Sequence, residues 1–263
     1  MTFRMFQVDA FTARVFTGNP AAVVPLESWL PDATLQAIAA ENNLSETAFF
    51  VPAAGDGADY DIRWMTPTAE VDLCGHATLA SGFVLLELLG HGRDEVRFAT
   101  RQRGIVSVRK IDQLFWLDFP AMPPEPVDAW PGLGEALGCR PRQILKARDL
   151  IAVLDTEQQV RELAPDIDAV ARLDAHAVIV TAPGADTDFV SRFFAPRMGI
   201  DEDPVTGSAH CQLVPYWSAR LKEKLLSARQ LSSRGGEIAC EDRADRIAIG
   251  GQAALYLEGT ISL

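Results

Sequence analysis

The chain has 263 residues, 48% of them hydrophobic and 23% charged, with 36 acidic against 24 basic residues and a formal charge of −12. That is enough apolar material for one large domain or two modest ones. Acidic residues spread along the whole chain leave no basic stripe to follow a phosphate backbone, so nucleic acid and anionic membranes are poor partners.

The opening MTFRMFQVDAF has no long apolar stretch after a basic patch, so no secretory signal is expected. The strongest apolar segment, residues 79–89, carries Glu87 and is too short to cross a bilayer; a cytoplasmic location follows as the expectation. In chain order, β-branched and aromatic runs predict strands at 4–8, 21–24, 47–51 and 61–65, with a helix over 32–42. A second helix begins near Gly75 and runs through HATLASGFVLLELL, apolar on almost every face, as a helix surrounded by sheet must be. Gly90 and Gly92 end it, and strands are predicted at 95–99, 105–110 and 114–119. Residues 120–132 hold five prolines in thirteen positions and read as a linker. Beyond it the pattern predicts strands at 143–146, 151–154, 177–181 and 189–194, helices over 156–163 and 207–221, and strands at 236–240 and 246–250.

The two halves show a weak internal repeat. TPTAEVDLCGHA precedes an apolar helix in the first, APRMGIDEDPVTGSAH precedes one in the second, and a glycine (Gly104, Gly236) opens a strand pair after each. Chance punctuation by Pro, Gly and small residues is the bland alternative. If the repeat is real, two sheet-wrapped helices present their N-termini to one cleft, the natural place for a ligand.

Four cysteines at 74, 139, 211 and 240 form no C-x-x-C pair and, with four scattered histidines, predict neither a disulfide framework nor a metal site. No G-x-G-x-x-G or G-x-x-x-x-G-K-[ST] loop is present, so no nucleotide cofactor is expected. The chemistry-bearing residues lie where loops become helices. Gly75, His76, Ala77 and Thr78 open one helix; Thr206, Gly207 and Ser208 open the other. A helix start leaves N–H donors unpaired with a partial positive charge and binds a small carboxylate without a basic side chain, although Thr206 or Ser208 could equally be an ordinary N-cap. Glu46, in ENNLSETAFF, interrupts a stretch about to become an apolar strand: either a solvated strand end, or a carboxylate in an apolar pocket whose raised pKa lets it take and return a proton. Asp203, in DEDPVTG, is a second candidate carboxylate, against the reading of a solvated acidic turn. His76 can donate to a substrate oxygen or shuttle a proton. Cys74 is either a buried small hydrophobe or a thiol whose anion is favoured beside a helix start.

Together VDAFTARVFTGNPAAVV, ENNLSETAFF, TPTAEVDLCGHATLAS and FFAPRMGIDEDPVTGSAH resemble the phenazine-biosynthesis PhzF-like family, of the diaminopimelate epimerase-like superfamily. The resemblance implies an α+β fold of two pseudo-symmetric domains, each a barrel-like, mostly antiparallel sheet around a central helix. The domains are expected at 1–119, completed by a C-terminal strand at 253–263, and at 133–252, joined by 120–132. It further implies a homodimer acting on a small anionic substrate without metal or cofactor. The motif glutamate that moves a proton between substrate carbons matches Glu46, while His76, Asp203 and Ser208 match residues lining the substrate. Gly75 and Gly207 would bring backbone N–H groups close to its carboxylate. Related epimerases oppose two cysteines; here Cys74 has no counterpart between residues 203 and 208, which disfavours a two-thiol mechanism. A racemase pairing Cys74 with Asp203, or a metabolite-binding protein without turnover, are the alternatives. Arg63 and Arg197 are candidates for selectivity.

Overall fold

The computed structural model describes residues 1–55 and 57–263. The chain divides into two compact units, residues 1–118 with 250–263 and residues 119–249. The first unit is built from β1 (Thr2–Ala10), β2 (Asn19–Pro25), α1 (Asp32–Asn42), β3 (Glu46–Pro52), β4 (Tyr60–Met65), β5 (Glu70–Val71), α2 (Gly75–Phe83), β6 (Glu95–Thr100), β7 (Ile105–Ile111) and most of β8 (Leu114–Pro120). The second contains β9 (Glu125–Val127), α3 (Leu133–Leu137), β10 (Gln143–Lys146), β11 (Leu150–Val153), α4 (Glu157–Glu162), α5 (Ile167–Arg172), β12 (Val178–Pro183), β13 (Phe189–Ala195), β14 (Ile200–Asp203), α6 (Gly207–Leu221), β15 (Leu225–Gln230), β16 (Gly236–Asp242) and most of β17 (Arg246–Gly251). The last strand, β18 (Ala253–Ser262), returns to the first unit and pairs antiparallel along all of β1.

Strand pairing repeats between the units. In the first, β1 and β2 are antiparallel, β2 and β3 parallel, β3 and β4 antiparallel, β4 and β6 parallel, and β6 and β7 antiparallel. In the second, β10, β11, β12, β13, β15 and β16 follow the same alternation. In each, a very short strand pairs antiparallel just before the central helix, β5 on β4 and β14 on β13. A parallel step needs a crossover connection, and each crossover carries a helix: α1 and α2 in the first unit, the α4 and α5 pair and α6 in the second. The proline-rich stretch contributes β9, an edge strand on β10, a position that tolerates proline because one side of the strand needs no ladder donors.

Both units bury one helix inside and keep another outside. The central helix α2 packs against β1, β2, β3, β7 and β18, and His76 through Gly82 are all buried. The outer helix α1 covers a separate core of Val24, Leu35, Ile38, Phe49 and Met65. In the second unit α3, α4 and α5 cover a core including Leu133, Val160, Val170, Val178 and Val180. The α2 helix widens into a π-helical turn at residues 84–88 and stops at Gly90, whose φ of +66° ends the right-handed path.

Close approach of α2 to the sheet depends on Gly82. A Cβ there would lie 2.4 Å from Val108 Cγ1 and 2.6 Å from its Cβ. Gly82→Ala is therefore expected to lower stability by about 1–3 kcal/mol through overpacking, although alanine is the better helix former by about 1 kcal/mol. Urea unfolding of the variant against the parent measures this. Among the described residues no helix is long and apolar enough to cross a membrane.

Candidate active site

The first unit gathers a carboxylate, an imidazole and a thiol at the start of its central helix. Helix α1 ends at Asn43, whose φ of +48° turns the chain back, and Asn42 Nδ2 donates to Thr47 Oγ1 at 3.1 Å. This latch ties the helix end to the strand it feeds, so Glu46 becomes the first residue of β3, ahead of the buried run Thr47, Ala48 and Phe49. Glu46 Oε2 lies 3.2 Å from Nε2 of His76, the second residue of α2, with side-chain exposures of 13% and 7%. Their approach lacks full hydrogen-bond alignment at the ring nitrogen, which is common in catalytic pairs before a ligand tightens them. Cys74 Sγ lies 3.5 Å from the other ring nitrogen, Nδ1. Burial pushes the His76 imidazolium down to about 3, against the pull of the nearby carboxylate, so at neutral pH the ring is neutral and holds one proton.

Glu46, Cys74 and His76 are also the one group of three metal-capable donors among the described residues, their ligand atoms lying within 4.8 Å of one another. One ring nitrogen therefore has both the thiol and a carboxylate oxygen within that distance, and the three groups form a single cluster at the start of α2.

Cys74 occupies the N-cap of α2 in an extended conformation, and its side chain makes no capping hydrogen bond. Thr78 turns inward: its amide and hydroxyl both donate to the Cys74 carbonyl, and it and Ala77 are fully buried. Arg63 is committed elsewhere. Its guanidinium donates to both Glu70 oxygens at 2.8 Å and to Asp32 Oδ1 at 2.8 Å, lies over the Trp29 ring, and by its hydrogen bonds holds the Glu70 carboxyl below the usual range. It thereby pins β5, four residues before Cys74.

In the second unit β14 ends at Asp203 and Pro204 prevents its continuation. Thr206 is the N-cap of α6, yet its side chain does not cap the helix; its hydroxyl bonds Asp203 Oδ2 instead. Gly207 is buried and Ser208 half-buried at the helix start. Gln230, fully buried at the end of β15, closes the turn: Oε1 accepts from the Thr206 amide at 2.9 Å, and Nε2 donates to the Asp203 carbonyl at 2.7 Å and to Thr206 Oγ1 at 3.2 Å. Arg192 of β13 grips both oxygens of Glu202 in β14 at 2.7 and 2.9 Å, as Arg63 of β4 grips Glu70 in β5. Sequence reasoning missed this pair of pins and Gln230. The signal for the pins was present: RWMTP from Arg63 and RFFAP from Arg192 stand at the head of the two repeat segments. Arg197 donates to the Leu173 carbonyl at 3.0 Å, and Cys211 is a buried core thiol directed at the Gly207 carbonyl.

Two buried imidazoles give the protein an acid liability. Burial lowers His76 to about 3 and His210 to about 4, whereas both titrate near 6.5 when unfolded. Above that value neither binds a proton in either state. As pH falls below it, the unfolded chain binds protons that the native chain refuses, so stability drops by up to about 1.4 kcal/mol per pH unit for each histidine. Urea unfolding at pH 7, 6 and 5 should show this decline, and His210→Asn should remove about half of it.

Residues 8–259 match the phenazine biosynthesis-like protein family, PhzC-PhzF. An uncharacterized isomerase of Pseudomonas aeruginosa is 51% identical over 263 residues, covering all of both chains. The crystal structure of a PhzF-family phenazine biosynthesis protein from Enterococcus faecalis superposes with a TM-score of 0.96 at 47% identity, again over 100% of each chain. A hydroxyproline epimerase of Agrobacterium vitis, 14% identical with a TM-score of 0.64 over 99% of this chain and 91% of its own, shares the fold alone. The architecture is thus the α+β fold of PhzF and the diaminopimelate epimerase-like proteins. With its matching segments spanning nearly the whole sequence, this chain belongs to the PhzC-PhzF family of phenazine biosynthesis-like proteins, and its relatives at about half identity are named isomerases.

Proposed function

We propose that this chain is an isomerase that moves a proton on a small carboxylate-bearing substrate, amino acid-like or dihydroaromatic, bound at the start of α2. Glu46 serves as the single acid and base, with neither metal nor cofactor. The observation that carries the reading is the contact of Glu46 with a neutral, buried His76 at the uncapped start of α2. A carboxylate so placed takes a proton from a carbon next to the substrate's carboxylate or conjugated system. The electron pair moves into that system, and the first-turn amides and the His76 N–H stabilise the negative charge it gains. Glu46 then returns the proton to a different carbon. Asp203 and the amides at the start of α6, around Gly207 and Ser208, form the second holding point for the polar groups of the substrate.

The repeat itself argues for one base. The strand that answers to β3 in the second unit, β12, begins at buried Val178, so the carboxylate and imidazole pair belongs to the first unit only. A second reading, a racemase using Cys74 with Asp203, draws on the thiol at the edge of His76. Incubation in deuterated water with cyclic and acyclic amino acids and dihydroaromatic carboxylates, followed by NMR, tests turnover. Deuterium entering a new carbon supports isomerisation; exchange confined to one stereocentre and lost in Cys74→Ser supports the racemase. No exchange in any compound that binds would leave a metabolite-binding protein. A homodimer is the companion expectation, to be read by sedimentation.

A further inference from the structure

Three side chains at the start of α2 bring a sulfur, a nitrogen and an oxygen donor to one place. Cys74 Sγ lies 3.5 Å from His76 Nδ1, Glu46 Oε2 lies 3.2 Å from His76 Nε2, and one donor atom from each residue falls within 4.8 Å of the other two. Zinc bonds of about 2.3 Å to sulfur and about 2.0–2.2 Å to nitrogen and oxygen, at tetrahedral angles, set donors about 3.3–3.7 Å apart. The widest separation in the cluster therefore exceeds the chelating one by about 1 Å, within reach of side-chain torsions. His76 adds an independent sign. Its side chain is 7% exposed, and Nε2 is buried without a hydrogen bond, a state that native proteins rarely leave a polar atom in. All three donors sit on fixed elements: Cys74 at the N-cap of α2, His76 at its second position, and Glu46 at the head of β3, where Asn42 latches Thr47.

We propose that Glu46, Cys74 and His76 bind a borderline-soft divalent cation, zinc above all, and that the bound ion switches the isomerase off. The donor set chooses the metal: a thiolate and an imidazole select zinc, cobalt and copper over magnesium and calcium, which take oxygen ligands. On binding, the Cys74 S–H bond breaks, its proton leaves to solvent, and a sulfur–metal bond forms. The imidazole lone pair and a Glu46 oxygen complete three protein ligands as the ion sheds water, and the fourth position stays open to water or a substrate carboxylate. The two positive charges of the ion are matched by one thiolate and one carboxylate, so no net charge is left in a largely buried cluster. A carboxylate committed to the cation cannot take a proton from carbon. The ion is thus an inhibitor and no cofactor of the reaction. The switch rests on the isomerase reading, in which Glu46 is the base; the metal site rests on the donor geometry alone.

Cobalt(II) reports the site without any substrate. Added to the full chain under a phosphine reductant, it should give a sulfur-to-cobalt charge-transfer band in the near ultraviolet and the intense visible bands of a four-coordinate ion. Zinc should displace both at one ion per chain, and magnesium should not. Cys74→Ser should abolish the charge-transfer band. Zinc affinity in Cys74→Ser, Glu46→Gln and His76→Gln, read by competition with a chromophoric chelator, should fall in each by more than the roughly 10–100-fold that an outer-shell partner is worth. Circular dichroism checks that each variant is folded. No band in the parent, a band that survives Cys74→Ser, or unchanged zinc affinity in Glu46→Gln overturns the site. Saturating zinc should stop deuterium exchange by the parent and a chelator should restore it; undiminished exchange with zinc bound overturns the switch. The two readings fail separately. Exchange lost in Glu46→Gln with no cobalt band in the parent leaves the isomerase and removes the metal site, whereas a cobalt band in a chain that exchanges nothing removes the isomerase and the switch with it.

Discussion

Replacing Glu46 with glutamine is expected to lower the rate of deuterium incorporation into substrate by about 10²–10⁴-fold, the usual contribution of a positioned general acid and base. The fold should survive. Glutamine has nearly the same shape, and the start of β3 is fixed by its backbone pairing to β2 and by the Asn42 latch to Thr47 rather than by the carboxylate. In the proposed mechanism backbone amides rather than Glu46 hold the substrate, so the loss should fall on kcat with KM little changed. An interaction made only in the transition state shows that pattern. Thermal unfolding of the variant checks the fold, and NMR-detected exchange with a responsive substrate checks the chemistry. Full exchange in Glu46→Gln would move the base to another residue, with Cys74 the first to test.

Much of this site was legible in the sequence because its parts are local. Glu46 stands out as an acid heading an apolar strand, and GHAT and TGSAH announce helix starts. The helices over 32–42 and 207–221 follow the sequence pattern to the residue, because each has a clear stop: Asn43 and Lys222 both take up left-handed conformations. What stayed hidden depends on partners distant in the chain. Strand β15 shows no useful alternation, since Leu225 is 68% exposed while polar Gln230 is fully buried. That reversal comes from hydrogen bonds to residues 203 and 206, which no local window contains. Strands β5 and β14 are two and four residues long, too short to show a period. The sequence makes Arg63 and Arg197 candidates for selectivity; in the structure one is held by two carboxylates and the other donates to a backbone carbonyl. A buried guanidinium needs such partners, and sequence alone does not reveal which ones it has found.

Gln230→Leu should lower stability by about 1–3 kcal/mol or more, because it strands the buried Thr206 amide at about that cost and also removes the donor to the half-buried Asp203 carbonyl. The same change frees the Thr206 hydroxyl. At present Gln230 Nε2 donates to that oxygen, which obliges the hydroxyl proton to point at Asp203 Oδ2 and fixes the carboxylate's orientation. Gln230→Glu separates the two effects. An ionised glutamate can still accept from the Thr206 amide, so part of the stability returns, but it cannot donate to Thr206 Oγ1 or to the Asp203 carbonyl and brings a second negative charge near Asp203. If Gln230 merely supports the fold, the glutamate variant, assayed well below its melting temperature, should exchange deuterium as fast per folded molecule as the parent. If it positions Asp203 for the substrate, kcat/KM should fall several-fold while circular dichroism and urea unfolding show a native chain. The role of Asp203 as a holding point then requires Asp203→Asn to reproduce the same defect without adding to it in the double variant, since groups acting through one another do not contribute independently.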